Sequence, residues 1–131
     1  MPEFHPLLGF QGGVLSGFRL ITDDNCYINR NYYFDVNAPI VLGNNVCIGH
    51  GVTFITTNHE KSNSNQRAGK QTRLPIIVED GVWIAANATL LPEIIVGKGA
   101  IVAAGAVVTK NASENSLVVG IPARVIKTLN S

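Results

Sequence analysis

Apolar residues recur at every sixth position over much of the chain. Read in sixes from Leu42, the sequence gives LGNNVC and IGHGVT, and from Val78 it gives VEDGVW, IAANAT, LLPEII, VGKGAI, VAAGAV and VTKNAS. The first residues of the hexads, all of them Ile, Leu, Val or Phe, are Leu42, Ile48, Phe54, Val78, Ile84, Leu90, Val96, Val102 and Val108. Because a period of six keeps no single face on a helix of about 3.6 residues per turn, the pattern predicts short strands separated by tight corners.

The remaining hexad positions support the same interpretation. The fifth position is apolar and usually small, and the second and fourth favour Gly, Ala and Asn, which tolerate a positive φ or a tight corner. A coil of short parallel strands, each turn stacked on the next, buries both apolar positions of every hexad. We therefore predict an all-β fold, a parallel β-helix of about four coils, whose handedness does not follow from the period. Upstream of Leu42 the inward-facing candidates are Ile28, Phe34 and Val36.

The repeat divides the chain into three segments. Residues 1–20 fit no hexad and are expected to form an N-terminal cap, residues 21–120 form the repeat domain, and residues 121–131 form a C-terminal tail. There, a turn followed by a short helix or a tail that closes the coil is expected. Residues 58–72 contain no aliphatic side chain except Ala68. Because such a segment cannot fill the inside of a coil, a loop near residues 57–75 is expected to protrude.

Charge narrows the classes of function. The formal net charge of +1 argues against a nucleic-acid surface. From residue 96 onward, Glu114 alone opposes four basic residues, a local net charge of +3 that suits a phosphorylated ligand. These four basic residues are Lys98, Lys110, Arg124 and Lys127.

Cysteine usage and hydropathy indicate the compartment. Cys26 and Cys47 have neither metal-ligand nor CxxC spacing, and both are expected to be small core residues. No segment approaches the roughly 18 apolar residues of a membrane span. Residues 1–13 lack a signal-peptide pattern, so a cytoplasmic location is expected.

Among the three histidines, His59 has the most informative position, because it lies where the coil departs into the polar segment. An imidazole titrates near neutral pH and can take a proton from a hydroxyl during acyl transfer. Taken alone, a solvated loop histidine is the plainer interpretation. His5 falls in the cap and His50 at an outward corner, and no group of His and carboxylate residues has metal-ligand spacing. No catalytic metal is therefore expected.

These residues together resemble the hexapeptide-repeat acetyltransferases, in particular the galactoside, maltose and nodulation-factor O-acetyltransferase group. The similarity runs from about Asn25 to Leu129 and is most specific in NCYINRNYYFD, TTNHE, VEDGVWIAANATLLPEIIVGKGAIVAAGAVVTK and VVGIPARVIK. The resemblance implies a left-handed β-helix and a homotrimer with active sites between subunits. It also implies acetyl-CoA as cosubstrate and direct transfer of the acetyl group to a hydroxyl of a saccharide.

The resemblance also assigns roles to single residues. His59 matches the general base of the family, and Asn29, thirty positions earlier, matches an asparagine that binds the acceptor or the oxyanion. The positions that match the lining of the pantetheine groove are Trp83, Ala86, Ala104 and Thr109. Those that match basic residues near the adenosine phosphates are Arg124 and Lys127. A packing aromatic, tight corners and solvated charges are the plainer alternatives for these six positions.

Other functions stay open at this point. An N-acetyltransferase acting on an amino-sugar or an antibiotic-type acceptor has nearly the same sequence requirements, and a non-catalytic structural β-helix trimer would need no base. A carbonic-anhydrase-like zinc enzyme would need three ligating histidines, which His5, His50 and His59 do not supply.

The sequence departs from the sugar acetyltransferases that it resembles in two places. Those enzymes have a longer N-terminal helical region and often a second histidine in the loop, where EKSNSNQ stands here. Acceptor identity is therefore the least transferable inference, with a larger saccharide favoured by the short cap and open loop.

Overall fold

The chain is built from short β-strands and corners. The computed structural model describes residues 19–130, so the cap expected for residues 1–20 lies almost wholly outside the described residues. Within the described range there are sixteen strands and no helix. The predicted all-β class is confirmed.

Most of the strands form three parallel sheets, and strands that follow one another along the chain belong to successive sheets. The first sheet contains β1 (Leu20–Thr22), β4 (Ile40–Leu42), β9 (Ile76–Val78) and β12 (Ile95–Val96). The second contains β2 (Tyr27–Ile28), β5 (Cys47–Ile48), β10 (Trp83–Ile84), β13 (Ile101–Val102) and β15 (Ser116–Val119). The third contains β3 (Tyr33–Phe34), β6 (Thr53–Phe54), β11 (Thr89–Leu90) and β14 (Val107–Val108). The chain therefore winds as a coil in which each strand pairs with the strand one turn away.

The inside of the coil holds the residues that the hexads predict. All nine first-position residues are at most 1% exposed, and the seven fifth-position residues from Val46 to Ala106 are at most 3% exposed. At the third sheet the stack is aromatic, since the rings of Phe34 and Phe54 lie 4.9 Å apart. The upstream candidates Ile28, Phe34 and Val36 are also buried. Burial of this apolar row is the main stabilising contribution, at about 25 cal/mol per Å² of apolar surface.

The corners explain the fourth hexad position. Asn45, Gly51 and Asn87 adopt φ values of 60°, 74° and 62°, in the left-handed region that Asn and Gly tolerate best. Glu93 occupies the same position in LLPEII with φ 74°, so a residue without that tolerance also turns the chain there.

Two details differ from what the sequence suggests. Of the helix and the tail expected at the C-terminus, the helix does not form: β16 (Arg124–Thr128) pairs antiparallel with β15, with a β-bulge at Leu117 and Val118. Its pairing covers the edge of β15 that the end of the coil leaves free. Cys26 is buried as expected, but Cys47 is exposed, because the residue that follows the inward Val46 on a strand points outward.

The polar segment leaves the coil after the third sheet and returns to it at the first. It forms an antiparallel hairpin of β7 (Thr57–Lys61) and β8 (Ala68–Arg73), with a register shift between His59 and Lys61. Its side chains are mostly exposed. We call residues 57–73 the His59 hairpin.

Candidate active site

His59 is held by a hydrogen bond across its own hairpin. Its ring nitrogen Nδ1 lies 3.0 Å from the carbonyl oxygen of Gly69 on β8. A carbonyl oxygen only accepts, so Nδ1 carries the proton and donates it. In the neutral ring Nε2 is then the unprotonated nitrogen, and the exposed side chain leaves it open to a ligand. This hydrogen bond thus fixes both the orientation of the ring and its neutral tautomer.

Position 69 has no room for a side chain, so it requires glycine. A Cβ atom at this position would lie 2.8 Å from the carbonyl oxygen of Glu60 and 3.1 Å from Cβ of Ser62. The register shift beside His59 brings these backbones together, as is usual at a β-bulge. Sequence reasoning missed Gly69, although it is the only glycine in the polar segment.

The base of the hairpin is tied to the coil by Asp35. This side chain is 8% exposed, and its Oδ2 accepts hydrogen bonds from the backbone N–H groups of Thr56 and Thr57, both at 3.0 Å. Its Oδ1 accepts from the side-chain amide of Asn37 at 2.7 Å. The Thr56 hydroxyl donates to the backbone carbonyl of Asp35 at 2.7 Å and accepts from the N–H of Ala38.

These contacts decide the ionisation of Asp35. Burial by itself raises the pKa of this carboxyl, but hydrogen bonds from Thr57, Asn37 and Thr56 outweigh burial, so the pKa lies below its ordinary value. Asp35 is therefore a carboxylate at neutral pH, with its oxygens occupied by donors from the hairpin base. Sequence reasoning missed it, although a lone acid between the inward-facing Phe34 and Val36 was a visible signal.

Asn29 lies at the corner that joins the second sheet to the third. Its backbone N–H donates to the carbonyl of Ile48 at 3.0 Å, and its side-chain Oδ1 accepts from the N–H of Arg30 at 2.7 Å. The side-chain NH₂ makes no hydrogen bond to other residues of the described range. His59, in contrast, leaves the coil at the corner between the third and first sheets. The structure does not bring Asn29 and His59 together within one chain.

The predicted cofactor residues also fall into groups. Ala86 and Ala104 lie at the same corner as Asn29, in later turns, and stack directly: the N–H of Gly105 donates to the carbonyl of Ala86 at 2.9 Å. Ala86 is half-buried and Ala104 exposed, so small side chains line this corner. Thr109 follows β14, at the corner between the third and first sheets. The His59 hairpin leaves the coil at the same corner, two turns earlier.

Trp83 and the basic residues lie on or beside the second sheet. Trp83 is 52% exposed and points outward from β10, in register with Ile101. Arg124 and Lys127 are both exposed on β16, whose Lys127 pairs with Leu117. A cavity of about 210 Å³ lies beside β16 and is lined by Lys110, Arg124 and apolar neighbours. Three of the four basic residues counted from the sequence thus lie on or beside β16, whereas Lys98 lies between β12 and β13.

Two further findings concern residues 19–130 alone. No group of three or more His, Cys, Asp or Glu side chains is arranged there to hold a metal ion. No helix in that range is long and apolar enough to span a bilayer.

Comparison with known proteins supplies a context for this arrangement. The family model of the bacterial transferase hexapeptide (six repeats) matches residues 75–110. A galactoside O-acetyltransferase of Escherichia coli is 32% identical over 112 residues, covering 81% of this chain and 55% of the relative. The chain spans 55% to 61% of the length of three curated relatives that it matches.

Solved structures agree with the sequence comparison. A hexapeptide-repeat acetyltransferase of Vibrio cholerae, complexed with acetyl coenzyme A, is 30% identical and superposes with a TM-score of 0.81. That match covers 92% of this chain and 73% of the other. A maltose O-acetyltransferase from Clostridium difficile is 29% identical with a TM-score of 0.79, over 87% of this chain and 61% of that one.

Proposed function

Because the chain belongs to the hexapeptide-repeat acetyltransferases, we propose that it transfers the acetyl group of acetyl-CoA to a hydroxyl of a saccharide. The observation that carries this proposal is the 3.0 Å contact between Nδ1 of His59 and the Gly69 carbonyl, which leaves Nε2 free to act as a base. A histidine that is merely solvated has no need of a fixed tautomer.

The reaction follows from that tautomer. Nε2 of His59 removes the proton of the acceptor hydroxyl as its oxygen attacks the thioester carbonyl carbon. The tetrahedral intermediate then breaks the carbon–sulfur bond, and the imidazolium returns its proton to the thiolate leaving group. No covalent enzyme intermediate is required. The free amide NH₂ of Asn29 is the donor for the acceptor or the oxyanion, a contribution of about 3 kcal/mol for a well-placed group.

The direction of the pantetheine groove follows from the order of turns. Asn29 lies in the first turn, Ala86 in the third, Ala104 in the fourth, and β16 at the end of the coil. From β2, beside Asn29, to β16 there are five strand steps, which at about 4.8 Å each span about 24 Å. An extended pantetheine arm together with its phosphates fits this span, with the thioester beside Asn29 and the phosphates beside Arg124 and Lys127. Small side chains along the way let backbone groups approach the pantetheine amides.

The oligomer is part of the proposal. Asn29, Ala86 and Ala104 lie at one corner of the coil, whereas His59 and Thr109 lie at the next, so one chain does not enclose the thioester between them. A second copy that presents its His59 hairpin to the Asn29 corner completes the site. A head-to-tail interface of this kind can close into a ring, and the resemblance to the family makes that ring a homotrimer with three such sites.

The test is thiol release from acetyl-CoA across a panel of neutral, acidic and amino-sugars, with mass analysis of the products. Acetyl esters formed on saccharides support the proposal. Acetamides formed only on amino-sugars would replace it by N-acetyl transfer. Absence of acetyl-CoA binding would contradict it and favour a structural β-helix.

A further inference from the structure

A cavity of about 540 Å³ lies at the base of the His59 hairpin, outside the residues assigned to catalysis. Buried Val36 and Ala38 form an apolar part of its lining. Two arginines, Arg19 and Arg73, face it from different segments of the chain, and none of the carboxylates among residues 19–130 lines it.

The two arginines keep their positive charge available. Nη1 of Arg19 donates to the backbone carbonyl of Asn37 at 2.8 Å, a bond that orients the guanidinium without neutralising it. The nearby carboxylate of Asp35 is buried, and its oxygens are occupied by Thr56, Thr57 and Asn37. Its charge therefore offsets the arginines only in part.

The surrounding hairpin adds to the positive potential. Residues 57–73 carry four basic side chains against Glu60 alone, a net charge of +3 with His59 neutral. Since the whole chain carries only +1, the other 114 residues are net negative at −2. A concentration of one sign of charge around a cavity raises the local concentration of ligands of the opposite sign.

The cavity and His59 lie close enough to contact one ligand. In the hairpin register Thr57 pairs with Arg73 and His59 pairs with Gln71, so all four side chains lie on one face. His59 and Arg73 are diagonal neighbours on that face, with Cβ atoms about 7–8 Å apart. A mono- or disaccharide can span this distance.

We infer that this cavity binds an anionic group of the acceptor, so that the acceptor is an acidic saccharide bearing a carboxylate, sulfate or phosphate. This inference rests on the proposed function and extends it to the class of substrate. Guanidinium groups pair with such oxyanions in a planar, bidentate manner, which positions the sugar as well as attracting it. The anion sits between Arg19 and Arg73, and a neighbouring hydroxyl reaches Nε2 of His59.

Direct binding tests the inference without any catalytic step. The probes are glucuronate, glucose 6-phosphate and glucose 6-sulfate, each compared with glucose by calorimetry, on the wild type and on Arg73→Gln, Arg73→Lys and Arg19→Gln/Arg73→Gln. We expect at least one anionic probe to bind about tenfold or more tightly than glucose, and the preference to fall as salt is raised. The double variant loses that preference, while Arg73→Lys keeps part of it.

The matched control is Arg67→Gln, which removes one hairpin charge at the turn, where Arg67 bonds the carbonyl of Ser62 and does not line the cavity. It retains the preference. Thermal denaturation of each variant separates lost binding from lost folding. Equal affinity for glucose and all three anions, or a preference that survives in a folded double variant, overturns the inference.

The inference and the proposed function fail separately. Selective anion binding without thiol release from acetyl-CoA refutes the transferase proposal and leaves the cavity assignment standing. Thiol release that is equally efficient with neutral and anionic saccharides supports the transferase and refutes the cavity assignment.

Discussion

At the scale of single residues, the site depends on a buried carboxylate. Asp35 lies at the corner between β3 and β4. Its carboxylate accepts hydrogen bonds from Thr56 and Thr57, where the chain enters the His59 hairpin. A buried carboxylate is tolerated only when donors replace its water, and here backbone N–H groups do so. The residue that holds the base of the His59 hairpin in place is thus also a stabilising residue of the fold.

Asp35→Asn should lower the free energy of unfolding at neutral pH by about 2 kcal/mol, because charge-assisted bonds to the hairpin base are lost. The folded pKa of Asp35 is lowered, so its contribution is present above the ordinary value of 3.8 and is lost as the pH falls through the lower folded value. Urea denaturation from neutral to acid pH should show the gap between wild type and variant closing. Glu93→Gln, at an exposed carboxylate, is the control, and a gap that persists unchanged into acid would contradict this account.

Predictions for single residues were correct where the residue's own hydrophobicity or backbone preference determines its burial or its φ. The inward Leu42 and Val96 and the left-handed Asn45 and Gly51 follow directly from the hexad. Asp35 and Gly69 were missed because their roles depend on partners far along the chain. Cys47 was misplaced because small apolar character does not say which side of a two-residue strand it takes.

At the scale of elements, the His59 hairpin and β16 are the pieces outside the repeat. The polar composition of residues 58–72 excluded this segment from the inside of the coil. The segment has no sequence pattern that predicts the pairing of β7 with β8. The sequence left a helix and a tail open at the C-terminus, because β16 is defined by its pairing with β15 and not by a period of its own. Elements without the period of six were therefore less predictable than the coil.

Gly69→Ala should lower kcat by about tenfold, because the added Cβ meets the Glu60 carbonyl and displaces the oxygen that orients His59. The KM for acetyl-CoA and the melting temperature should change little, since the hairpin lies outside the buried core. Ser64→Ala, in the hairpin turn, is the matched control. An unchanged kcat would show that the Gly69 contact does not matter to the reaction.

Removing the charges of β16 should weaken cofactor binding. In Arg124→Ala/Lys127→Ala we expect the KM for acetyl-CoA to rise about tenfold, and to rise less for dephospho-acetyl-CoA, because phosphate contacts are charge-assisted. Steady-state kinetics with both thioesters measures this difference. Lys98→Ala, at an exposed corner between the first and second sheets, is the control. Equal changes with both thioesters would count against a phosphate role for β16.

At the scale of the whole molecule, the arrangement of corners bears on assembly. His59 and Asn29 lie at different corners of one coil, so the proposed site needs two chains to bring them together. The period of six predicted the coil and its parallel sheets, but neither its handedness nor its assembly, since both depend on contacts that a repeat does not encode. The left-handed sense and the homotrimer stay predictions from the resemblance.

Mixing two inactive variants tests the shared site. If each site takes His59 from one chain and Asn29 from its neighbour, His59→Ala and Asn29→Ala chains refolded together should regain about a quarter of wild-type activity, through random pairing at each interface. Each variant refolded alone is the control. No recovery in a verified mixed oligomer would place both residues of a site in one chain.

The central claim is that His59 is the base of an acetyl transfer, and single-turnover kinetics on His59→Gln tests it most directly. Glutamine removes the basic nitrogen at similar size, and Glu60→Gln is the neighbouring control. The account predicts that acetyl-CoA binding is retained while the transfer rate falls about 100-fold or more, with the control unaffected. A His59→Gln enzyme that transfers acetyl groups at the wild-type rate would contradict it.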